Sequence, residues 1–81
     1  MRLEIVVAPD CVGCSEARSI AEEVRGRFTS VEVHLVELGG DRPIPKQVVA
    51  TPTYLLDGAV VSLGNPRRDT LLRLIRRRLN D

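Results

Sequence analysis

Tryptophan is absent from this 81-residue chain, and its aromatic side chains amount to one Phe and one Tyr. A core must therefore be aliphatic, and the stacking platforms that hold single-stranded nucleic acid are missing. Excess charge is missing too: twelve Lys and Arg stand against eleven Asp and Glu, leaving +1. The chain as a whole thus carries no field that would draw it to nucleic acid or an anionic membrane. No apolar run approaches the roughly 20 residues that cross a bilayer, and the stretch Ile5–Ala8 is too short for a signal-peptide core. Repeats, low-complexity tracts and internal linkers are lacking as well. What remains is a single domain, 1–81, with 43% apolar residues, near the lower size limit for a self-sufficient core. The expected compartment is the cytoplasm, and the expected state a monomer.

Cysteine occurs twice, as Cys11 and Cys14, and histidine once, as His34. Zinc and iron–sulfur sites also use a Cys-x-x-Cys pair, but they ordinarily add a second pair or histidines. One distant His leaves a tetrahedral site a ligand short, so no metal or other cofactor is expected. In a reducing compartment a lone pair of this spacing points to catalysis more than to a structural staple.

The setting of the pair strengthens that reading. Leu3-Glu4-Ile5-Val6-Val7 is short, β-branched and apolar, as a buried strand is, and strand one is expected over residues 2–8. Ala17, Ile20, Ala21, Val24 and Phe28 then recur with helical spacing, so a helix is expected over about 12–28. The pair therefore sits where a strand turns into a helix. There the backbone N–H groups lack intrahelical partners and the dipole is positive, which favours thiolate over thiol. The spacing suggests Cys11 as the exposed nucleophile and Cys14 as the more buried thiol that resolves a mixed disulfide. Gly13 lets the turn tighten and a partner's backbone approach, while Asp10 adds a negative charge that opposes the dipole, with Arg18 as a partial offset.

Farther along, Glu22–Arg25 and Glu23–Arg27 are ordinary solvated helix pairs. Val31–Glu37 alternates partially, with Val31, Val33 and Leu35 on one side and Glu32, His34 and Val36 on the other, as expected of a half-covered edge strand. Strand, helix and strand make a right-handed βαβ unit with parallel strands. Gly39–Pro45 is a cluster of breakers and reads as a loop; Lys46–Ala50 is a short helix or a single turn. Two β runs flank Asp57-Gly58, a tight-hairpin signal, with Pro52 opening the first of them. Asn65 is the expected N-cap and Pro66 the first residue of a last helix over 66–79, striped by Leu71, Leu72, Leu74, Ile75 and Leu79. Arg67, Arg68, Arg73, Arg76, Arg77 and Arg78 load that helix with charge, read as a solvated basic face whose last turn complements the dipole.

This order of elements resembles the thioredoxin-like superfamily in its minimal, glutaredoxin-sized form, over essentially the whole chain. Cys11-Val12-Gly13-Cys14 and Thr51-Pro52 carry the resemblance. It implies an α/β fold with a four-stranded mixed sheet in the order 2-1-3-4 and helices on both faces. It also implies a cis Thr51–Pro52 bond facing the cysteines, a reversible Cys11–Cys14 disulfide, and a substrate groove at Val12, Gly13, Thr51 and Pro52. Thioredoxins usually carry Trp before the first cysteine, Gly-Pro between the pair and a buried acid in strand one; here stand Asp10, Val12-Gly13 and Ile5. Without that acid, water or a group such as Glu16 would serve Cys14. Glutaredoxins usually show Gly-Gly and an acid where this chain has Gly64-Asn65-Pro66. The expected activity is thiol–disulfide exchange with a disulfide-containing protein, recharged by an upstream thiol reductant. The rivals are a module holding Cu(I) or Zn²⁺ between the two sulfurs, and a redox-sensing interaction module.

Overall fold

The computed structural model describes residues 1–38, 48 and 50–80. Six elements follow one another: β1 (Arg2–Val7), α1 (Cys14–Arg27), β2 (Glu32–Glu37), β3 (Thr53–Leu56), β4 (Ala59–Leu63) and α2 (Arg68–Leu79). The strands form one sheet in the order β2-β1-β3-β4. β1 and β2 run parallel, whereas β3 is antiparallel to both β1 and β4. This is the mixed sheet expected of a minimal thioredoxin-like fold.

The pleat of β1 divides the core. Leu3, Ile5 and Val7 point to the face on which both helices pack, and they meet Ala17, Ile20, Ala21 and Val24 of α1, Tyr54 and Leu56 of β3, and Leu71 and Ile75 of α2. Val6 points the other way, to a second cluster with Val36 and Leu55. Each Leu or Ile fully buried in these clusters contributes roughly 1.5–3 kcal/mol, so an almost wholly aliphatic core suffices. Leu38, Val48 and Val60 pack against the second cluster. The loop expected over Gly39–Pro45 lies outside the described residues, as does most of Lys46–Ala50, read as a short helix or a single turn.

β2 is an edge strand, as expected. Its buried Val36 shows that the face shared with Glu32 and His34 is apolar at one end, because Val36 pairs with Val6 in register and inherits its burial. Asp57 and Gly58 both take positive φ (50° and 88°), the conformation a two-residue hairpin turn requires and Asp-Gly readily adopts. Asp57 also locks onto β1: its N–H donates to the Arg2 carbonyl (2.9 Å) and its Oδ1 accepts from the Arg2 N–H (2.8 Å). One extra residue, Val61, bulges from β4 between the pairs Leu55–Val60 and Tyr54–Ser62.

The start of α2 departs from expectation. Arg67, not Asn65, is the N-cap, and Pro66 lies outside the helix. Asn65 fails to cap because both ends of its amide are bound elsewhere, as described below.

Candidate active site at the start of α1

β1 runs out at Val7, and Leu38 N–H donates to the Val7 carbonyl (2.9 Å), so the chain leaves the sheet there and turns over residues 8–13 before α1 begins. The Cys14 N–H donates to the Cys11 carbonyl (3.3 Å), closing a turn around Val12 and Gly13. Gly13 caps α1 with φ 94° and no side-chain hydrogen bond of its own. A side chain there would meet that left-handed conformation, and a Cβ would come 3.1 Å from Asn65 Nδ2. Val12 and Gly13 thus precede the helix, which starts at Cys14, two residues later than the sequence pattern suggests.

The two sulfurs are joined as a disulfide, 2.06 Å apart, across Cα atoms separated by 5.4 Å. Cys14 is 3% exposed and belongs to the main core cluster, whereas Cys11 is half-buried at its edge. Cys11 is thus the less buried residue of the pair. Val12 between them is 99% exposed, so the turn presents an apolar side chain to solvent. The helix dipole and the unpartnered N–H groups of the first turn lie beside the sulfurs and favour negative charge there.

Thr51 and Pro52 stand at the same end of the molecule. β1 and β3 pair with Val6 opposite Thr53, so the start of β3 faces the end of β1 from which the cysteine turn departs. The Thr51–Pro52 peptide is cis, Pro52 is buried and Thr51 half-buried. Thr53 is fully buried and satisfies its hydroxyl by donating to the Ala50 carbonyl. The β4–α2 link holds the two segments together. Gly64 N–H donates to the Pro52 carbonyl (2.8 Å), and the next residue, Asn65, donates from Nδ2 to the Gly13 carbonyl (2.8 Å). Consecutive residues of that link thus bond the Pro52 carbonyl on one side and the Gly13 carbonyl of the cysteine turn on the other.

Three participants were not legible in the sequence. Asn65 Oδ1 accepts the hydroxyl of Tyr54 (2.7 Å), a residue with no exposed surface. Burial, and next the negative charge of Glu16, push the Tyr54 hydroxyl well above its usual pKa, so it stays protonated and donates. Arg68, at the first turn of α2, reaches back to α1: it meets Glu16 through Nε (3.2 Å) and Nη2 (2.9 Å), Glu23 through Nη1 (2.8 Å) and the Ser19 hydroxyl (2.9 Å). Its hydrogen bonds hold the Glu16 and Glu23 carboxyls below their ordinary pKa values. Sequence spacing within one helix cannot reveal contacts made between two.

Other expectations meet different partners. Glu16, a candidate proton-transfer group for Cys14, is engaged by Arg68 as a carboxylate, and that hydrogen bond makes it a weaker base than a free carboxylate. Arg18 pairs with Glu37 of β2 (3.2 Å). Glu22–Arg25 (2.6 Å) and Glu23–Arg27 (2.9 Å) form as the spacing predicts. His34 lies half-buried on β2 beside Glu32, with Nε2 3.4 Å from a carboxylate oxygen. Among the described residues no three His, Cys, Asp or Glu side chains gather as a metal site. No helix among them is long and apolar enough to cross a membrane.

Comparison with known proteins gives a relative for the whole chain. It is 27% identical to the thioredoxin of Methanocaldococcus jannaschii over 82 residues, which span 98% of this chain and 96% of that protein. No protein-family model matches the chain, and no solved structure matches it significantly.

Proposed function

We propose, for a chain that is thioredoxin-like in fold and in its cysteine pair, that it is a thiol–disulfide oxidoreductase acting on disulfide-bonded proteins. The observation that carries the reading is the Cys11–Cys14 disulfide at the start of α1, with Cys11 half-buried and Cys14 3% exposed. The reduced form begins the cycle. The Cys11 thiolate attacks one sulfur of a substrate disulfide, forming a mixed disulfide and releasing the other substrate sulfur as a thiolate, which takes up a proton. Cys14, deprotonated by water or by the departing thiolate, attacks the Cys11 sulfur. The second substrate thiol leaves, two electrons have passed to the substrate, and the Cys11–Cys14 disulfide remains. An upstream dithiol reductant restores the pair by the same exchange in reverse.

Val12, Gly13, Thr51 and Pro52 form the substrate-binding surface in this reading. The turn offers a projecting apolar side chain and the β3 entrance offers backbone, the two kinds of contact an extended peptide needs. The chain acts as a monomer and needs no metal or cofactor. A cytoplasmic setting fits, because a disulfide in a reducing compartment persists only as part of a working cycle.

Equilibration of the metal-free protein in graded thiol/disulfide buffers, followed by alkylation and mass counting of free thiols, tests the reading. One two-electron transition between about −180 and −300 mV is expected. A pair that forms no intramolecular disulfide across that range refutes an electron-carrier role.

A further inference from the structure

We infer that Asn65 is a positioning residue for the cysteine turn, holding the Gly13 carbonyl so that the two sulfurs remain poised for each other when the disulfide is open. The inference rests on the exchange chemistry proposed above and assigns part of its control to a side chain outside the motif.

Gly13 carries the whole burden of starting α1, since it offers no capping side chain and takes a left-handed conformation. Its carbonyl accepts twice, from Ala17 N–H (3.0 Å) as the first helical bond and from Asn65 Nδ2 (2.8 Å). A carbonyl has two lone pairs, so both bonds are satisfied at once. The amide orientation of Asn65 is determined by its partners: Gly13 O can only accept and so requires the NH₂ end, which leaves Oδ1 for the Tyr54 hydroxyl (2.7 Å). Tyr54 is fully buried in the middle of the sheet, which makes it a rigid anchor. Asn65 is itself fixed in the backbone, because the preceding N–H bonds the Pro52 carbonyl and Ser62 Oγ donates to the Gly64 carbonyl (2.7 Å). The turn is thus tied through one amide to the most buried part of the fold.

While the disulfide is closed the S–S bond holds the turn, and the amide is redundant for that purpose. Once the disulfide opens, only noncovalent contacts hold Cys11 near Cys14. Removing Asn65 then frees the dithiol turn more than the closed one, and forming the disulfide costs more order. The effective concentration of the pair therefore falls.

The test equilibrates the full-length protein with reduced and oxidised glutathione at pH 6 and counts free thiols by mass after alkylation. Asn65→Ala should lower the effective concentration of the pair about fivefold, the worth of one such hydrogen bond. Asn65→Asp keeps an acceptor for Tyr54 but at this pH has no donor for Gly13, so it should behave as Asn65→Ala does. Tyr54→Phe should fall by about twofold, since it loosens the anchor only. Wild-type values in either Asn65 variant overturn the inference. Amide exchange of the Cys14 N–H, measured on the same proteins, reads the turn without a redox step and should accelerate about fivefold in reduced Asn65→Ala. An unchanged exchange rate overturns the positioning role even if the wild-type pair does not cycle, whereas failure of the wild-type pair alone refutes the oxidoreductase reading.

Discussion

The two helices begin in opposite ways, although neither has a capping side chain of its own. α1 starts on a left-handed glycine, and what holds it is a neutral amide donated from the β4–α2 link to the Gly13 carbonyl. The positive end of its dipole is left beside the sulfurs. α2 starts on Arg67 in extended conformation, and its first turn is bound by charge, with Arg68 clasping Glu16 and Glu23 of α1. A cation at a helix N-terminus opposes the dipole. Arg68 therefore serves the packing of the two helices on each other rather than the start of its own helix. One terminus is kept available for chemistry and the other is used as a clasp.

Substitutions at the two termini should separate these roles, with the largest effect at the sulfurs. Cys11→Ser should reduce insulin-disulfide reduction to the uncatalysed background, whereas Cys14→Ser should still attack and accumulate mixed disulfides visible by mass. Equal and mild losses in both would remove the division of labour between them.

Arg68→Gln should act on stability and leave the chemistry in place. Breaking the clasp is expected to lower Tm by a few degrees while changing the rate of exchange with a small disulfide less than about twofold. The pH dependence sharpens the point. Glu16 and Glu23 have folded pKa values depressed below 4.5, so their pairing stabilises the protein above the unfolded carboxylate range and is lost as pH falls through the folded values. Wild-type Tm should thus drop below about pH 4.5 more steeply than that of Arg68→Gln. Parallel curves would show that the clasp contributes nothing.

The smallest effect is expected at the far end of α2. Replacing Arg76, Arg77 and Arg78 by Gln removes cations from the last turn, where they complement the dipole, and the stacking of Arg76 over the Phe28 ring (5.8 Å). Tm should fall slightly, and exchange with a small-molecule disulfide should be unchanged. Loss of that activity would mean that the site is misplaced.

Much of this was legible in the sequence because it is local. The short apolar, β-branched run of Leu3–Val7, the helical stripe from Ala17 to Val24 and the Asp57-Gly58 turn each depend on neighbours within a few residues. The parallel β1–β2 pair follows from the strand–helix–strand pattern, whereas the full sheet order was implied only by the resemblance to the thioredoxin-like superfamily. The start of α2 was misread because Asn65-Pro66 satisfies the local rule for a helix start, while Gly13 and Tyr54 offer the Asn65 amide better partners from elsewhere in the fold. Arg68 was misread similarly: a run of arginines looks uniformly solvated until the opposing helix brings two carboxylates to one of them. The cysteine turn was found because its chemistry needs only three residues of spacing, and its support was missed because that support spans fifty-two.

The scarcity of aromatics gives Tyr54 one more use. With no tryptophan to mask it, its near-ultraviolet absorption and emission arise from a single ring in a single buried setting, hydrogen-bonded to the amide that touches the cysteine turn. The molecule thus carries a single intrinsic fluorophore that stands one amide away from its cysteine turn, readable without a label.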